Sequence, residues 1–386
     1  MSHAPTTVAA FVPVARPYIG MEEELGVLEV LRSGWITQGP RVAEFEARFA
    51  AYVGCDDAIA VSSCTTALQL SLLACGIRPG DEVVCPSLSF IATANSIACL
   101  GATPVFADID LDTYNIDPAH VDRLISRRTK AILVVHQIGL PANLTELRQL
   151  ASRRNLDLIE DAACAIGAEY DGARIGKPIG ECACFSFHPR KIITTGEGGM
   201  ITTQNSELAE RLRRLRQHAM SVSDVTRHSA KQIVMETYDE VGFNFRMTDM
   251  QAAIGIAQLQ RLPDLLERRR FLAQRYSKAL DEVSWLITPK VPANCRHNYQ
   301  SYMVRLVDEI AEERDTIMQR LLERNISTRR AIMAIHRELP YKSAQGDEIL
   351  PRTSLASDSG IILPLYHQMT EETQDSVIEA LWDIRI

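Results

Sequence analysis

Short apolar runs alternate with helical periodicities along the first three-quarters of the chain. Ala58–Val61, Glu82–Cys85, Pro104–Phe106, Ala131–Val135 and Leu156–Ile159 are apolar and bounded by turn residues, the pattern of buried strands. Between and before them the apolar positions recur with helical spacing, which predicts helices over Met21–Ser33, Val42–Val53, Ala67–Cys75 and Ile91–Leu100. Gly54, Gly76 and Gly101 close three of these helices, as glycine does where the chain must turn out of a helix. Two further strands are predicted at Ala183–Phe187 and Gly199–Thr203. Short apolar strands separated by helices imply a mostly parallel sheet covered on both faces, with ligands bound beyond the carboxyl ends of its strands.

The pattern then changes. A basic amphipathic helix over Ser206–Gln217, carrying Arg211, Arg213, Arg214 and Arg216, reads as a solvated face, and a polar loop runs on to Glu240. Gly242–Asp249 forms a turn that caps a helix over Met250–Leu262, which Pro263 is expected to break before the pattern resumes to about Val283. From about Trp285 onward, strands at Ser301–Val307 and Ile361–Leu365 mix with helices at Glu312–Arg324 and Thr370–Trp382. The chain therefore divides into residues 1–284, an N-terminal arm with a large α/β domain, and residues 285–386, a smaller α+β domain.

Composition narrows the function classes. The 386 residues, 46% hydrophobic and 23% charged, are those of an ordinary globular protein, with no apolar run of membrane-spanning length and no secretory leader pattern. A cytoplasmic location is the expectation. A net charge of -8 argues against nucleic acid as the main partner, although an anionic small substrate needs only a local basic patch. Nine cysteines without paired C-x-x-C spacing argue against a disulfide framework and against a metal site. Cys182 and Cys184 alternate to the same side of a buried strand and are expected as core thiols.

Candidate chemistry gathers at the strand ends. Lys191, between an apolar strand and Thr195-Gly-Glu-Gly-Gly199, could be a desolvated amine of lowered pKa suited to attack on an aldehyde, or a solvated surface charge. Ser63–Thr66 puts hydroxyls and free N–H groups at a helix start, which suits a phosphate or is an ordinary cap. Asp161, at the end of another strand, could cap a helix, bind a metal or pair with a protonated ring nitrogen. Phe90 could stack on a planar ring or belong to the core, the default for a single aromatic.

Taken in order, these pieces resemble the DegT/DnrJ/EryC1/StrS family of sugar aminotransferases. The likeness runs through Ser33-Gly-Trp-Ile-Thr-Gln-Gly-Pro40, Ser62–Leu68, Pro86–Asn95, Glu160-Asp-Ala-Ala, Phe185-Ser-Phe-His-Pro-Arg-Lys191, Thr195–Gly199, Gly242–Gly255 and Leu363-Pro-Leu-Tyr366. The resemblance implies an α/β fold of PLP-dependent transferase fold type I (aspartate aminotransferase-like), with a mostly parallel seven-stranded sheet, and pyridoxal 5'-phosphate (PLP) as cofactor. By it, Lys191 is the Schiff-base lysine, Thr65, Thr66 and Ser186 hold the phosphate, Phe90 stacks on the ring, and Asp161 pairs with the ring nitrogen. Asn244 would reach the phosphate site of a neighbouring subunit, which implies a homodimer with shared active sites. Cys164 stands where relatives often carry Gln or His touching the ring hydroxyl, and Ile192 where many have Asn.

The expected reaction moves an amino group from L-glutamate to a nucleotide-linked keto-sugar. Arg16-Pro-Tyr-Ile-Gly and Ser33–Pro40 look most like the C4 enzymes acting on 4-keto-6-deoxy sugars, with C3 and aminocyclitol aminotransferases as alternatives. Arg329, Arg330 and His336 are candidates for gripping the substrate diphosphate, or belong to a solvated loop. His188 either lies near the sugar or shapes the turn before Lys191. The family's 3-dehydratases carry His in place of the lysine, so Lys191 argues against that branch. An NAD-dependent dehydrogenase would need a G-x-G-x-x-G turn, which Ser62-Ser-Cys-Thr-Thr is not. A non-catalytic protein that keeps the fold for binding or regulation is the remaining alternative.

Overall fold

A computed structural model describes residues 11–222, 232–233, 235–342 and 350–384. Part of the loop expected before Glu240 and the first ten residues of the arm lie outside the described residues. Seven strands form the main sheet: β1 (Asp57–Val61), β2 (Glu82–Pro86), β3 (Thr103–Ala107), β4 (Thr129–Val135), β5 (Asp157–Asp161), β8 (Cys182–Ser186) and β9 (Gly199–Thr203). Their spatial order is β1-β9-β8-β5-β4-β2-β3, and β9 alone pairs antiparallel with both neighbours. The mostly parallel sheet is thus present with seven strands. A small sheet joins β6 (Glu169–Tyr170) to β7 (Ala173–Arg174) and to β11 (Cys295–Arg296), an element that the sequence pattern does not announce.

Side-chain alternation on β8 builds both faces of the core. Ala183, Phe185 and, just beyond the strand, Phe187 pack to one side with Phe45 and Phe49; Cys182 and Cys184 point to the other, among Ile59, Leu68 and Leu72. The aromatic rings interlock, with centroids 5.0 Å apart for Phe49–Phe185 and 5.3 Å for Phe45–Phe187. Each fully buried phenylalanine contributes about 2–3 kcal/mol by removing apolar surface from water. Both cysteines of the strand are the buried core thiols expected of them.

A second, antiparallel sheet follows in the order β10-β12-β14-β13, from β10 (Leu286–Ile287), β12 (Tyr302–Leu306), β13 (Arg329–Arg330) and β14 (Gly360–Leu363). The arm reaches across to it: Val12 bridges Ile326, and Leu365 N–H donates to the Val14 carbonyl. One helix, Asp249–Leu280, serves both cores. Its first half places Ala252, Leu259 and Leu262 against the main sheet, and its second half places Leu272, Tyr276 and Leu280 against the other.

That helix corrects the expected break. Pro263 lies inside it without interrupting it, because apolar contacts on both sides hold the turn that the missing N–H weakens. The basic helix, Ser206–Leu215, is also no merely solvated face. Arg213 pairs with Asp57 at 2.6 Å, Arg211 with Glu240 at 3.0 Å, and Arg216, just past its end, is buried on Glu46 with a 2.7 Å bond to the Ala60 carbonyl. Removing one partner of such a buried pair costs about 3–5 kcal/mol, so Arg216 fastens the helix Pro40–Val53 to β1.

Candidate active site

The carboxyl ends of β5 and β8, adjacent and parallel, bring Asp161 and Lys191 to one crevice. The loop carrying Lys191 is tightly held. Phe187 N–H donates to the Gly198 carbonyl at 2.9 Å, Thr195 N–H to the Phe187 carbonyl at 3.0 Å, and the Thr194 hydroxyl to that same carbonyl at 2.8 Å. His188 shapes the turn itself: its carbonyl accepts the Lys191 N–H at 2.8 Å and its Nδ1 the Arg190 N–H at 3.2 Å. Burial lowers the His188 pKa, so its ring favours the neutral form that can accept this bond.

The Lys191 ammonium donates to Cys164 Sγ at 3.0 Å. Burial opposes its charge, but its interactions with Cys164, Cys64 and Asp161, the hydrogen bond to Cys164 among them, outweigh that penalty and raise its pKa above the ordinary lysine value. The lowered pKa expected from desolvation is therefore not a property of the chain alone, because the crevice that desolvates the amine also surrounds it with acids.

Asp161 is 6% exposed. Its Oδ1 accepts the Ala163 N–H at 3.1 Å and its Oδ2 the Thr93 hydroxyl at 3.2 Å. Burial raises its pKa, against the pull of the Ala163 N–H and of Lys191. Neither donor is a close one, which leaves the carboxylate able to hold a positive charge in the crevice. Thr93 was not singled out by the sequence beyond its place in the Pro86–Asn95 motif; its N–H bonds to the Phe90 carbonyl at 3.0 Å, so Phe90 and Asp161 share one local framework. Phe90 is 62% exposed and not a core residue, which fits a ring kept free to stack.

Across the crevice, Ser63 caps the helix Cys64–Ala74, its hydroxyl accepting the Thr66 N–H at 3.2 Å while Thr66 Oγ1 accepts the Ser63 N–H at 3.1 Å. Among the described residues, the N–H groups of Cys64 and Thr65 have no acceptor, and the Thr65 side chain is exposed. Gly199, paired with Ser186, makes this approach possible: a Cβ there would lie 2.5 Å from the Ser63 carbonyl oxygen. Free N–H groups, a positive helix end and the hydroxyls of Thr65 and Ser186 are a donor set suited to a phosphate, which the Thr66 hydroxyl can join by turning from the Ser63 carbonyl that it donates to at 2.8 Å. Asn244 lies exposed on the strand-like turn bridged to Gln217, between Phe243 and Phe245, which pack against the core. The donors, the lysine and the carboxylate fit PLP in kind: anion cradle, amine and ring-nitrogen partner.

Two supporting residues carry no sequence signal. Asn298 donates to the carbonyls of Cys164 at 2.7 Å and Ile166 at 2.8 Å, so a residue far along the chain fixes the turn after β5. His136 Nδ1 accepts the Ala142 N–H at 3.1 Å, which leaves Nε2 to donate to Glu160 at 3.1 Å beside Asp161.

Arg329 and Arg330 are exposed on β13, an edge strand rather than a loop. His336 is buried, its Nδ1 2.7 Å from the Ser87 hydroxyl, with Leu88 bridged to Ala334. The stretch from Arg329 to His336 therefore runs from the second sheet to the loop after β2, near the crevice rim.

The fold is shared with known proteins. The spore coat polysaccharide biosynthesis protein SpsC of Bacillus subtilis (strain 168) is 40% identical over 382 residues, 97% of each chain. The aminotransferase TlmJ from Streptoalloteichus hindustanus superposes with a TM-score of 0.88 at 36% identity, over 96% of this chain and 97% of that one. The PLP form of Spr1654 from Streptococcus pneumoniae gives a TM-score of 0.89 at 28% identity, over 96% of this chain and 98% of that one. The sequence model of one family matches residues 17–382, and the chain belongs to that family, the DegT/DnrJ/EryC1/StrS aminotransferases, as a PLP-dependent sugar aminotransferase of fold type I.

Proposed function

We propose that this enzyme transfers an amino group from L-glutamate to a nucleotide-linked 4-keto-6-deoxy sugar, acting as a homodimer with shared active sites. The observation that carries the reading is the meeting of Lys191 and Asp161 at adjacent strand ends, beside a helix start with unused N–H groups. Bound PLP would supply an electron sink for the carbon that loses its proton. Lys191, as the nearest flexible base, holds the cofactor and moves the proton at Nζ. Asp161 keeps a positive charge on the ring nitrogen, and Thr65, Thr66 and Ser186 hold the phosphate. Phe90 covers one ring face, Cys164 faces the ring hydroxyl, and Asn244 reaches the partner's phosphate site.

Arg329 and Arg330 lie on a stretch that approaches the crevice, which supports a role in gripping the diphosphate. His336 and His188 contribute by holding the walls. The name of SpsC ties that relative to polysaccharide building, in keeping with a sugar substrate. The division at residues 1–284 and 285–386, and a cytoplasmic setting, complete the proposal; all nine cysteines are free, as a reducing compartment would keep them.

The test is spectroscopic. Purified protein given PLP should show a visible band that bleaches with L-glutamate and returns on adding the keto-sugar nucleotide. Lys191→Ala should lose both the band and turnover. A protein that takes up no PLP, or a variant that still turns over, would overturn the assignment.

A further inference from the structure

Cys164 and Lys191 come from different strand ends, and each is held in place by its own neighbours. Asn298 pins the Cys164 carbonyl, while the Phe187–Thr195 bonds clamp the loop that carries Lys191. Their side chains meet at 3.0 Å, Nζ to Sγ, and both are half-buried, within reach of small solutes. The other thiols differ. Cys64 bonds to the Cys184 carbonyl at 3.6 Å and burial pushes its pKa well up; Cys85, Cys182 and Cys184 are buried in strands. Among the described cysteines, Cys164 alone has a side-chain ammonium group in contact with it. Peroxide oxidises accessible cysteines, and here the sulfur that it would oxidise already lies 3.0 Å from a nitrogen.

We propose that Cys164 and Lys191 form a reversible oxidative lock in the cofactor-free enzyme: peroxide oxidises Cys164, and the oxidised sulfur then closes onto the Lys191 amine. The inference rests on the reading of Lys191 as the attachment point for PLP, because the lock closes by occupying that amine. In the first step the Cys164 thiolate attacks one oxygen of hydrogen peroxide. An S–O bond forms, the O–O bond breaks, and hydroxide leaves and takes up a proton as water. Sulfur loses two electrons and peroxide gains them.

In the second step the neutral Lys191 amine attacks the sulfur. An S–N bond forms, the S–O bond breaks, and the hydroxyl departs as water with the proton released by nitrogen, so no second oxidant is needed. The two steps are coupled electrostatically. The hydrogen bond to Cys164 is one of the contacts that raise the Lys191 pKa, and oxidation of the sulfur removes it while burial continues to oppose the charge. Two thiols reverse the lock. One attacks sulfur and frees the amine, and the second resolves the mixed disulfide.

The experiment exposes cofactor-free protein to hydrogen peroxide and maps tryptic peptides by mass spectrometry. The expected product joins the Cys164 peptide to the Lys191 peptide, two hydrogens lighter than their sum, with tryptic cleavage after Lys191 lost and restored by dithiothreitol. Cys164→Ser and Lys191→Gln should each abolish the joined species, Cys64→Ser should leave it, and prior loading with PLP should suppress it. A Cys64–Cys164 disulfide, Cys164 carried to sulfinic acid without joining Lys191, or Cys164 oxidised no faster than the exposed Cys99 would each overturn the proposal. Failure of the PLP reading shows separately, as absence of a visible band with added PLP, since the joined species is read without cofactor.

Discussion

Two buried aspartates, one at each end of the large domain's working parts, are solvated by the protein in opposite ways. Asp249, 2% exposed, accepts N–H groups from Gly39 at 2.8 Å, Val42 at 3.0 Å and Arg41 at 3.1 Å. It starts the long helix and caps the helix Pro40–Val53 at once, so it fastens two elements together. Asp161 has one backbone donor, one hydroxyl, and an amine across the crevice. Burial raises the pKa of both. The lesson is that burial alone does not distinguish a structural carboxylate from a functional one. What distinguishes them is whether the donors come from rigid backbone or are left for a ligand to supply.

The largest effect should come from removing the charge at the crevice. Asp161→Asn is expected to lower kcat/KM by about 10³-fold, the scale of losing one preorganised charge, while the cofactor-free chain unfolds at a higher urea concentration than the parent. Measured turnover together with urea midpoints checks both; a destabilised variant would place Asp161 with Asp249 as a fastener. Next, Asp249→Ala should cost about 3 kcal/mol in denaturant unfolding, because three N–H groups lose their acceptor. Loss of PLP affinity without loss of stability would reverse the assignment of that region.

A smaller effect separates the two by pH. The folded pKa of Asp161 lies above the unfolded value, so its protonated form stabilises the fold below that value, and the contribution is lost as pH rises through the folded pKa. Parent and Asp161→Asn should therefore unfold nearly together at about pH 4 and separate toward pH 7, as urea midpoints without cofactor would show. Smallest, Ser63→Ala removes a cap worth about 1 kcal/mol and should weaken PLP binding modestly while leaving the unfolding of the Asp249 region unchanged, read by hydrogen exchange.

Much of this arrangement is written locally in the chain. The strand ends, the Ser63 cap and the position of Lys191 follow from apolar runs bounded by turn residues, because a buried parallel strand needs continuous apolar side chains. Gly242–Asp249 likewise reads as a cap. The misreadings share one cause. Pro263, the arginines of the helix Ser206–Leu215 and the Lys191 pKa each looked decided by near neighbours in sequence, and each is set by partners elsewhere. The residue type of Phe90 leaves it between core and ring stacking, since whether an aromatic is core or exposed depends on what packs over it, and it is exposed.

The sequence by itself determined the order of strands and helices, the residues available at the strand ends and, through them, the family. Periodicity and turn chemistry act over a few residues, so a single chain displays them directly. The tertiary structure alone decided that Asn298 holds the turn beneath Cys164, that His336 is buried on Ser87, and that Cys164 touches Lys191. Those contacts join residues far apart in the chain, and only the packed core fixes their distance and the electrostatic field in which each group titrates.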